Sequence, residues 1–287
     1  MVAIGDDAQA MLGRTPPDIC AVRPVHAGMV SDFEVSEALL VHLIRRVHGR
    51  NKWMSPRMVV TVPYGATDME RRAVRESCEA AGAREVHLLP RPLAAAIGAE
   101  LPVHKPSGHM VVDIGGGATD VTLLSLSGVV VGHTVKGGGD GMDQSLIRLV
   151  RQRHGLEIGA LSARGAREAL DRSEGAHRVK GRCVQRGVPR MVQVTDDEIR
   201  EAVAPSIATI AVAIRRTLEQ AAPELASDVV DNGVVLTGAC SRMSRIVDDL
   251  RDATGLAIVG ADDPEDATIR GAGEVLESMD LLERMAS

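Results

Sequence analysis

The stretch VVDIGGGATDVTLLSL, residues 111–126, sets a carboxylate, three consecutive glycines, a threonine and a second carboxylate between Asp113 and Asp120. Asp113 ends an apolar run that reads as a buried strand, so its carboxylate projects from the strand edge. Gly115, Gly116 and Gly117 strip the turn of side chains, and backbone N–H groups there can approach an anion closely. Ala118, Thr119 and Asp120 open the next strand. A carboxylate beside such a turn suits Mg²⁺ held through water, with Asp113 as the candidate. A Walker-type loop is excluded, because no Gly-Lys-Ser/Thr follows and the glycines lead into a strand. An ordinary turn does not need three glycines, so the triplet reads as a phosphate-gripping hairpin.

Two further glycine clusters could join it. VKGGGDGMD (135–143) links a strand to a helix. Either its amides serve an anion at the helix N-terminus, or it is a turn whose Asp140 and Asp143 cap the helix. VVLTGACSR (234–242) is a strand–loop–helix crossing, where a ligand would lie over the backbone at Gly238.

The elements that must position these residues alternate between the helical and strand periods. The stretch 31–49 spaces Leu39, Leu40, Leu43, Ile44 and Val47 on one helical face, with Ser31 or Asp32 as cap. Residues 58–63 form a short buried strand. Residues 67–82 form a helix with a Thr67/Glu70 capping box and Gly82 at its end. Strand 85–90 and a helix of small residues, 91–100, follow. HMVVDIGG, TDVTLLSLSG and VVVGHTVKGG make an antiparallel three-strand meander turning at glycines. A helix at 141–155 precedes a polar, basic stretch, 171–190, expected to be an irregular surface excursion. Residues 195–229 form a long helical stretch capped by Thr195 and bent at Pro205. A strand (233–238), a helix (240–255), a strand (256–261) and a closing helix (264–285) complete an α/β fold with a mixed sheet.

Composition narrows the partners. The 287 residues are 45% hydrophobic and 25% charged, as in globular proteins generally, and the net charge of −6 supplies no attraction for nucleic acid. Phe33, Trp53 and Tyr64 are the whole aromatic set, so base-stacking platforms are excluded as a main mechanism. Cys20, Cys78, Cys183 and Cys240 are scattered without a CxxC pair, which reads as free thiols in a reducing cytoplasm. The start MVAIGDDAQA is not a signal peptide, and no apolar run reaches the length of a membrane span.

Several long segments together resemble the MreB family of bacterial actin-like rod-shape proteins. They are DDAQAMLGRTP, AVRPVHAGMVSDFEVSE, ERRAVRESCEAAGAREV, PLAAAIGAELPV, GHMVVDIGGGATDVTLLSLSGVVV and APELASD. The resemblance runs nearly end to end. It implies the actin (ribonuclease H-like) fold, two lobes around an ATP cleft, and membrane-bound filaments that guide the cell-wall elongation machinery. The expected lobes are 1–97 with 261–287, and 98–260. Residues 1–23 would be a remnant of the first lobe's small subdomain, and 136–195 roughly the small subdomain of the second. Nucleotide contacts carry over to Asp113, Gly115, Gly116, Gly117, Ala118 and Thr119 on the phosphate side, and to Gly238, Ala239, Cys240 and Ser241 on the adenosine side.

Four departures fall on that site. The chain begins after the family's first phosphate loop, so the first lobe would lack its N-terminal strands. Either Met1 is a misassigned start, or the chain is a true paralogue or a decaying copy. Where the family has Glu-Glu-Pro, with the second Glu positioning water, this chain has Pro90-Arg91-Pro92. A guanidinium cannot serve as that base, and no residue replaces it. Arg91 is left either to pair with a phosphate or to stand solvated in the cleft. The adenosine-side triplet is Gly238-Ala239-Cys240, and the first acidic position of the nucleoside helix is Arg164. Weakened or absent hydrolysis is expected, with ATP or ADP and Mg²⁺ bound feebly or not at all.

The stretch GRNKWMSPR (49–57) puts Trp53 and Met54 among basic residues, where the family resemblance implies a membrane-insertion loop. Trp53 either meets lipid or folds back on its lobe. The expected role is a cytoplasmic filament protein in cell-shape control, peripheral at the inner membrane face, assembling with itself or a full-length MreB. The alternatives are a catalytically dead regulator of such filaments, or an ATPase or sugar kinase of the same superfamily.

Overall fold

A computed structural model describes residues 3–48, 55–170, 175–243 and 245–278. Helix α1 (Asp6–Ala10) leads to a hairpin of β1 (Val25–His26) and β2 (Met29–Val30). Its turn, Ala27-Gly28, is left-handed at both residues, with φ of 51° and 82°. Helix α2 (Phe33–His48) follows, and Asp32 is its cap, Oδ1 accepting from the Val35 amide at 3.0 Å. Of the expected apolar stripe, Leu40 packs inward, whereas Leu43 and Val47 are exposed.

Strands β3 (Arg57–Val62) and β4 (Glu85–Pro90) pair in parallel across helix α3 (Asp68–Ala80), a βαβ unit. The Thr67/Glu70 capping box forms in both directions. Among the described residues these two strands make a sheet by themselves. β4 runs directly into helix α4 (Arg91–Gly98), which is buried from Pro92 to its end.

The meander is β5 (His109–Ile114), β6 (Ala118–Ser125) and β7 (Gly128–Lys136). Helix α5 (Gly138–His154), strand β8 (Leu156–Glu157) and helix α6 (Ala160–Ala169) come next. Strands β9 (Ala176–Cys183) and β10 (Pro189–Thr195) then pair antiparallel. This corrects the expectation of an irregular excursion over 171–190. His177, Val179 and Cys183 are buried and face in, while Arg178, Lys180 and Arg182 face solvent. That two-residue alternation is a half-buried strand whose outer face happens to be basic.

Helix α7 (Asp196–Gln220) stays continuous through Pro205, and a break at Ala221 and Ala222 separates it from α8 (Pro223–Asn232). Thr195 caps α7 in a full capping box with Glu198. Thr195→Ala is expected to lower stability by about 1 kcal/mol, read as a shift in urea midpoint at constant slope. Strand β11 (Val234–Thr237), a 3₁₀ turn over Ala239–Arg242, helix α9 (Ile246–Thr254), strand β12 (Ile258–Gly260) and helix α10 (Ala267–Glu277) complete the order.

The main sheet runs β12-β11-β5-β6-β7, parallel from β12 to β5 and antiparallel beyond. Strand periodicity divides its side chains between two cores. Met110, Val112, Ile114, Val121 and Leu123 meet α7 on one face. Val111 and Leu124 meet α4 on the other. Asp113 and Asp120 share this second face by the same alternation.

Candidate functional site: a glycine hairpin beside a closed acidic pair

The β5–β6 register sets Asp113 directly opposite Asp120, and the β6–β7 register sets Asp120 opposite Thr134. Two like charges facing each other across a strand pair destabilise it. Both are buried, at 2% and 0% exposure. The charge is met from α4. Arg91 Nε lies 2.7 Å from Asp113 Oδ2, and Arg91 Nη2 donates to Asp120 Oδ2 at 2.7 Å. Thr237 donates to Asp113 Oδ1 at 3.2 Å, and Thr134 to Asp120 Oδ1 at 2.5 Å. Thr134 also accepts the Gly65 amide at 2.8 Å, tying the loop after β3 to the sheet. Two of the three Arg91 nitrogens are therefore committed to the acids, a pairing that its residue type alone had not indicated. Its position at the first turn of α4 opposes the helix dipole, and the two carboxylates offset that. Burial pushes the Asp113 carboxyl above its ordinary range, Arg91 pulls it down, and Asp120 pushes it further up.

The three-glycine turn is fastened to the second glycine cluster. The amides of Gly137, Gly139 and Asp140 donate to the carbonyls of Gly117, Gly115 and Gly116 at 3.0, 3.0 and 2.7 Å. Gly138 lies so close to the Gly115 carbonyl that no side chain fits, and its φ of 39° disfavours one as well. The α5 amides of Gly139 and Asp140 are thus spent on the hairpin. The groups left over are donors: among the described residues the amides of Gly116 and Gly117 have no backbone acceptor. The tip of the β1–β2 hairpin rests here too, with Ala27 Cα 2.6 Å from where a Gly117 Cβ would stand.

Asp140 and Asp143 do not cap α5, correcting that expectation, because the cap Gly137 has no side-chain bond. They anchor a charge ladder instead. Asp140 meets Arg23 at 3.3 Å and Arg164 at 3.1 Å, and Asp143 meets Arg167 at 2.7 Å. Three guanidiniums against two carboxylates leave a positive excess. Two cavities meet at Asp140. One, of about 730 Å³, is lined by Gly117, Lys136 and Arg23 among others. The other, of about 930 Å³, is mostly apolar and reaches Gly116 and Arg164.

The remaining candidates separate from this cluster. Ala118 lines the first cavity. Thr119 is fully buried with its hydroxyl unpartnered, on the sheet face of Val121 rather than that of Asp120. Gly238 packs on Asp113. Cys240 turns inward against Gly139 and close to Arg167, its thiol pushed up by burial, and Ser241 donates to the Gly238 carbonyl at 2.7 Å. Ala239 is exposed, and neither cavity includes residues 238–241. Trp53 and Met54 lie outside the described residues. Sequence reasoning missed Arg23, Thr134 and Arg167, and it singled out Arg164 only as a departure from the family pattern; Thr134 left a signal through the meander register.

A mixed five-stranded sheet, a second sheet of βαβ type and a glycine hairpin between them define an actin-like protein. The structure superposes on MreB 5 of Spiroplasma citri bound to AMPPNP with a TM-score of 0.92, at 27% identity over 97% of this chain and 85% of that one. A MamK double helical filament shares the fold alone, with a TM-score of 0.78 at 22% identity. The MreB/Mbl protein family profile matches residues 1–284. The cell shape-determining protein MreB of Escherichia coli (strain K12) is 44% identical over 288 residues, covering 98% of this chain and 83% of its own. The cell shape-determining protein Mbl of Bacillus subtilis (strain 168) is 34% identical over 287 residues, covering 98% and 86%. The chain belongs to the MreB/Mbl family.

Proposed function

We propose that this chain is a filament-forming protein of cell-shape determination that holds a nucleotide at the Gly115–Gly117 hairpin and hydrolyses it feebly or not at all. Family membership and the filament-forming fold support the cytoskeletal role. Relatives bound to AMPPNP and ADP support nucleotide binding. The phosphate end fits the residues present: free amides at Gly116 and Gly117, with Lys136 and Arg23 at the cavity wall. The adenosine end fits less well, because Cys240 and the Arg167–Asp143 pair fill the space beside Gly139. A divalent cation does not fit at Asp113, whose oxygens are both engaged.

The observation that carries weak hydrolysis is Arg91. It stands where the family places its water-positioning carboxylate, and it is locked to both nearby acids. Without a base the rate is expected to fall by about 10²-fold or more against a relative that keeps one. The proposed lobes are 1–97 with 261–287, and 98–260. Attachment at the inner membrane face through Trp53 and Met54 belongs to the same proposal. No helix among the described residues is long and apolar enough to cross a membrane.

Titration with fluorescent ATP, phosphate release and pelleting, alone and with a full-length MreB, test this reading. Binding and pelleting that proceed equally with ATP and AMPPNP are expected. Turnover at a normal family rate would overturn it. Pelleting only with the partner would favour the regulator instead. Gly117→Ala is expected to weaken ATP binding about tenfold, because the new methyl pushes Ala27 off the hairpin.

A further inference from the structure

Arg91 fills the space between the acidic pair and the glycine hairpin. Its Nε and Nη2 set one positive charge against two facing buried carboxylates, each at 2.7 Å. Its third nitrogen, Nη1, lies 3.3 Å from the Cβ position of Gly28 and 3.6 Å from that of Gly115, between the β1–β2 tip and the glycine hairpin. Nη1 has no protein acceptor among the described residues, and the side chain keeps 16% of its exposure. With Thr134 and Thr237 on the other two oxygens, every carboxylate oxygen of the pair is engaged. A hard cation needs several oxygen ligands or waters hydrogen-bonded to them, and it would have to displace the guanidinium to gain any.

We infer that Arg91 is a built-in cation, which closes the Asp113–Asp120 pair to divalent metal and leaves the hairpin to bind its anion metal-free. The closure to metal stands on the ion pairs; the anion part rests on the nucleotide reading above. The sequence places the guanidinium, but only the register of β5 on β6 brings two carboxylates to it.

Mn²⁺ titration of the full chain without nucleotide, followed by the loss of free-ion paramagnetic resonance, tests the closure. The unaltered chain is expected to leave Mn²⁺ free. Arg91→Glu turns the cluster into three carboxylates and is expected to take up one Mn²⁺ at least about tenfold more tightly. Asp113→Asn in the Arg91→Glu background abolishes that gain. Arg91→Gln, which keeps both acids without adding a third, replaces Arg91→Glu if the latter fails to fold. Uptake of one Mn²⁺ by the unaltered chain, removed by Asp113→Asn, overturns the inference, as does the absence of any gain in the folded variants. ATP titration in EDTA and in Mg²⁺ is the second arm, with affinities expected to agree within about twofold. A loss of about tenfold or more in EDTA overturns metal-free binding. Failure of ATP to bind in either condition sinks the nucleotide reading, and the Mn²⁺ arm still decides the closure.

Discussion

Arg91→Gln is expected to unfold at lower urea than the unaltered chain, with a loss of about 3–5 kcal/mol. The reason is the asymmetry of buried ion pairs: deleting one partner strands the other charge, and here it strands two. Asp113 and Asp120 are buried and face each other across β5 and β6, and among the described residues no second cation reaches them. If stranded charge is the cause, Arg91→Gln with Asp113→Asn and Asp120→Asn recovers most of the loss, because neutral amides leave nothing to compensate. A loss below about 1 kcal/mol, or no recovery in the triple variant, contradicts the assignment.

The pH dependence carries its own sign. Burial already raises the native Asp113 carboxyl above its ordinary value, with Arg91 opposing. Removing Arg91 raises it further, whereas the unfolded chain keeps the ordinary value. The folded variant then binds more protons than the unfolded one between those two values. Its stability is therefore present below the ordinary carboxylate range and lost as pH rises through the raised native value. The gap between Arg91→Gln and the unaltered chain is expected to narrow from about pH 7 to about pH 5. A gap that widens on acidification refutes the mechanism.

Gly98→Val is expected to cost about 3 kcal/mol or more, by overpacking. Helix α10 docks on α4 at two glycines that interlock. A side chain on Gly98 would strike the Ala267 carbonyl, and one on Gly271 would strike the Ala94 carbonyl. Backbone cannot swing away as the end of a side chain can, so the helices must part. The loss should concentrate in α10, and faster amide exchange over 267–277 is the local signature. Gly273 is the control. It lies on α10, as Gly271 does, with nothing within 4 Å of its Cβ position. Gly273→Ala is expected to be neutral or to stabilise by up to about 1 kcal/mol through helix propensity. Equal losses at Gly98 and Gly273 would mean that close packing is not what the glycines provide.

Much of the fold is legible in the residues, because period and punctuation are local. The meander, both capped helices and the βαβ unit follow from spacing, Thr-x-x-Glu pairs and glycines a few positions apart. The β9–β10 hairpin was legible too, but its charged outer face masks the alternation of His177, Val179 and Cys183. Side-chain partners were less accessible. Asp140 and Asp143 stand where caps stand, yet helix α6 brings Arg164 and Arg167 against them, and a guanidinium outcompetes a backbone amide for a carboxylate. Thr119 belongs to the hairpin by sequence, but strand alternation turns its hydroxyl to the opposite core.

By itself the chain determined its family, most of its elements and the presence of a glycine hairpin beside an aspartate. It also showed that an arginine replaces the acid which should position water. Tertiary structure alone decided what that arginine does. Its role depends on α4 landing on one face of β5 and β6, and on a register that makes Asp113 and Asp120 neighbours. Local periodicity says which face a residue takes. Only the packing of distant elements says which charge it meets there, and in a buried cleft that meeting sets the electrostatics.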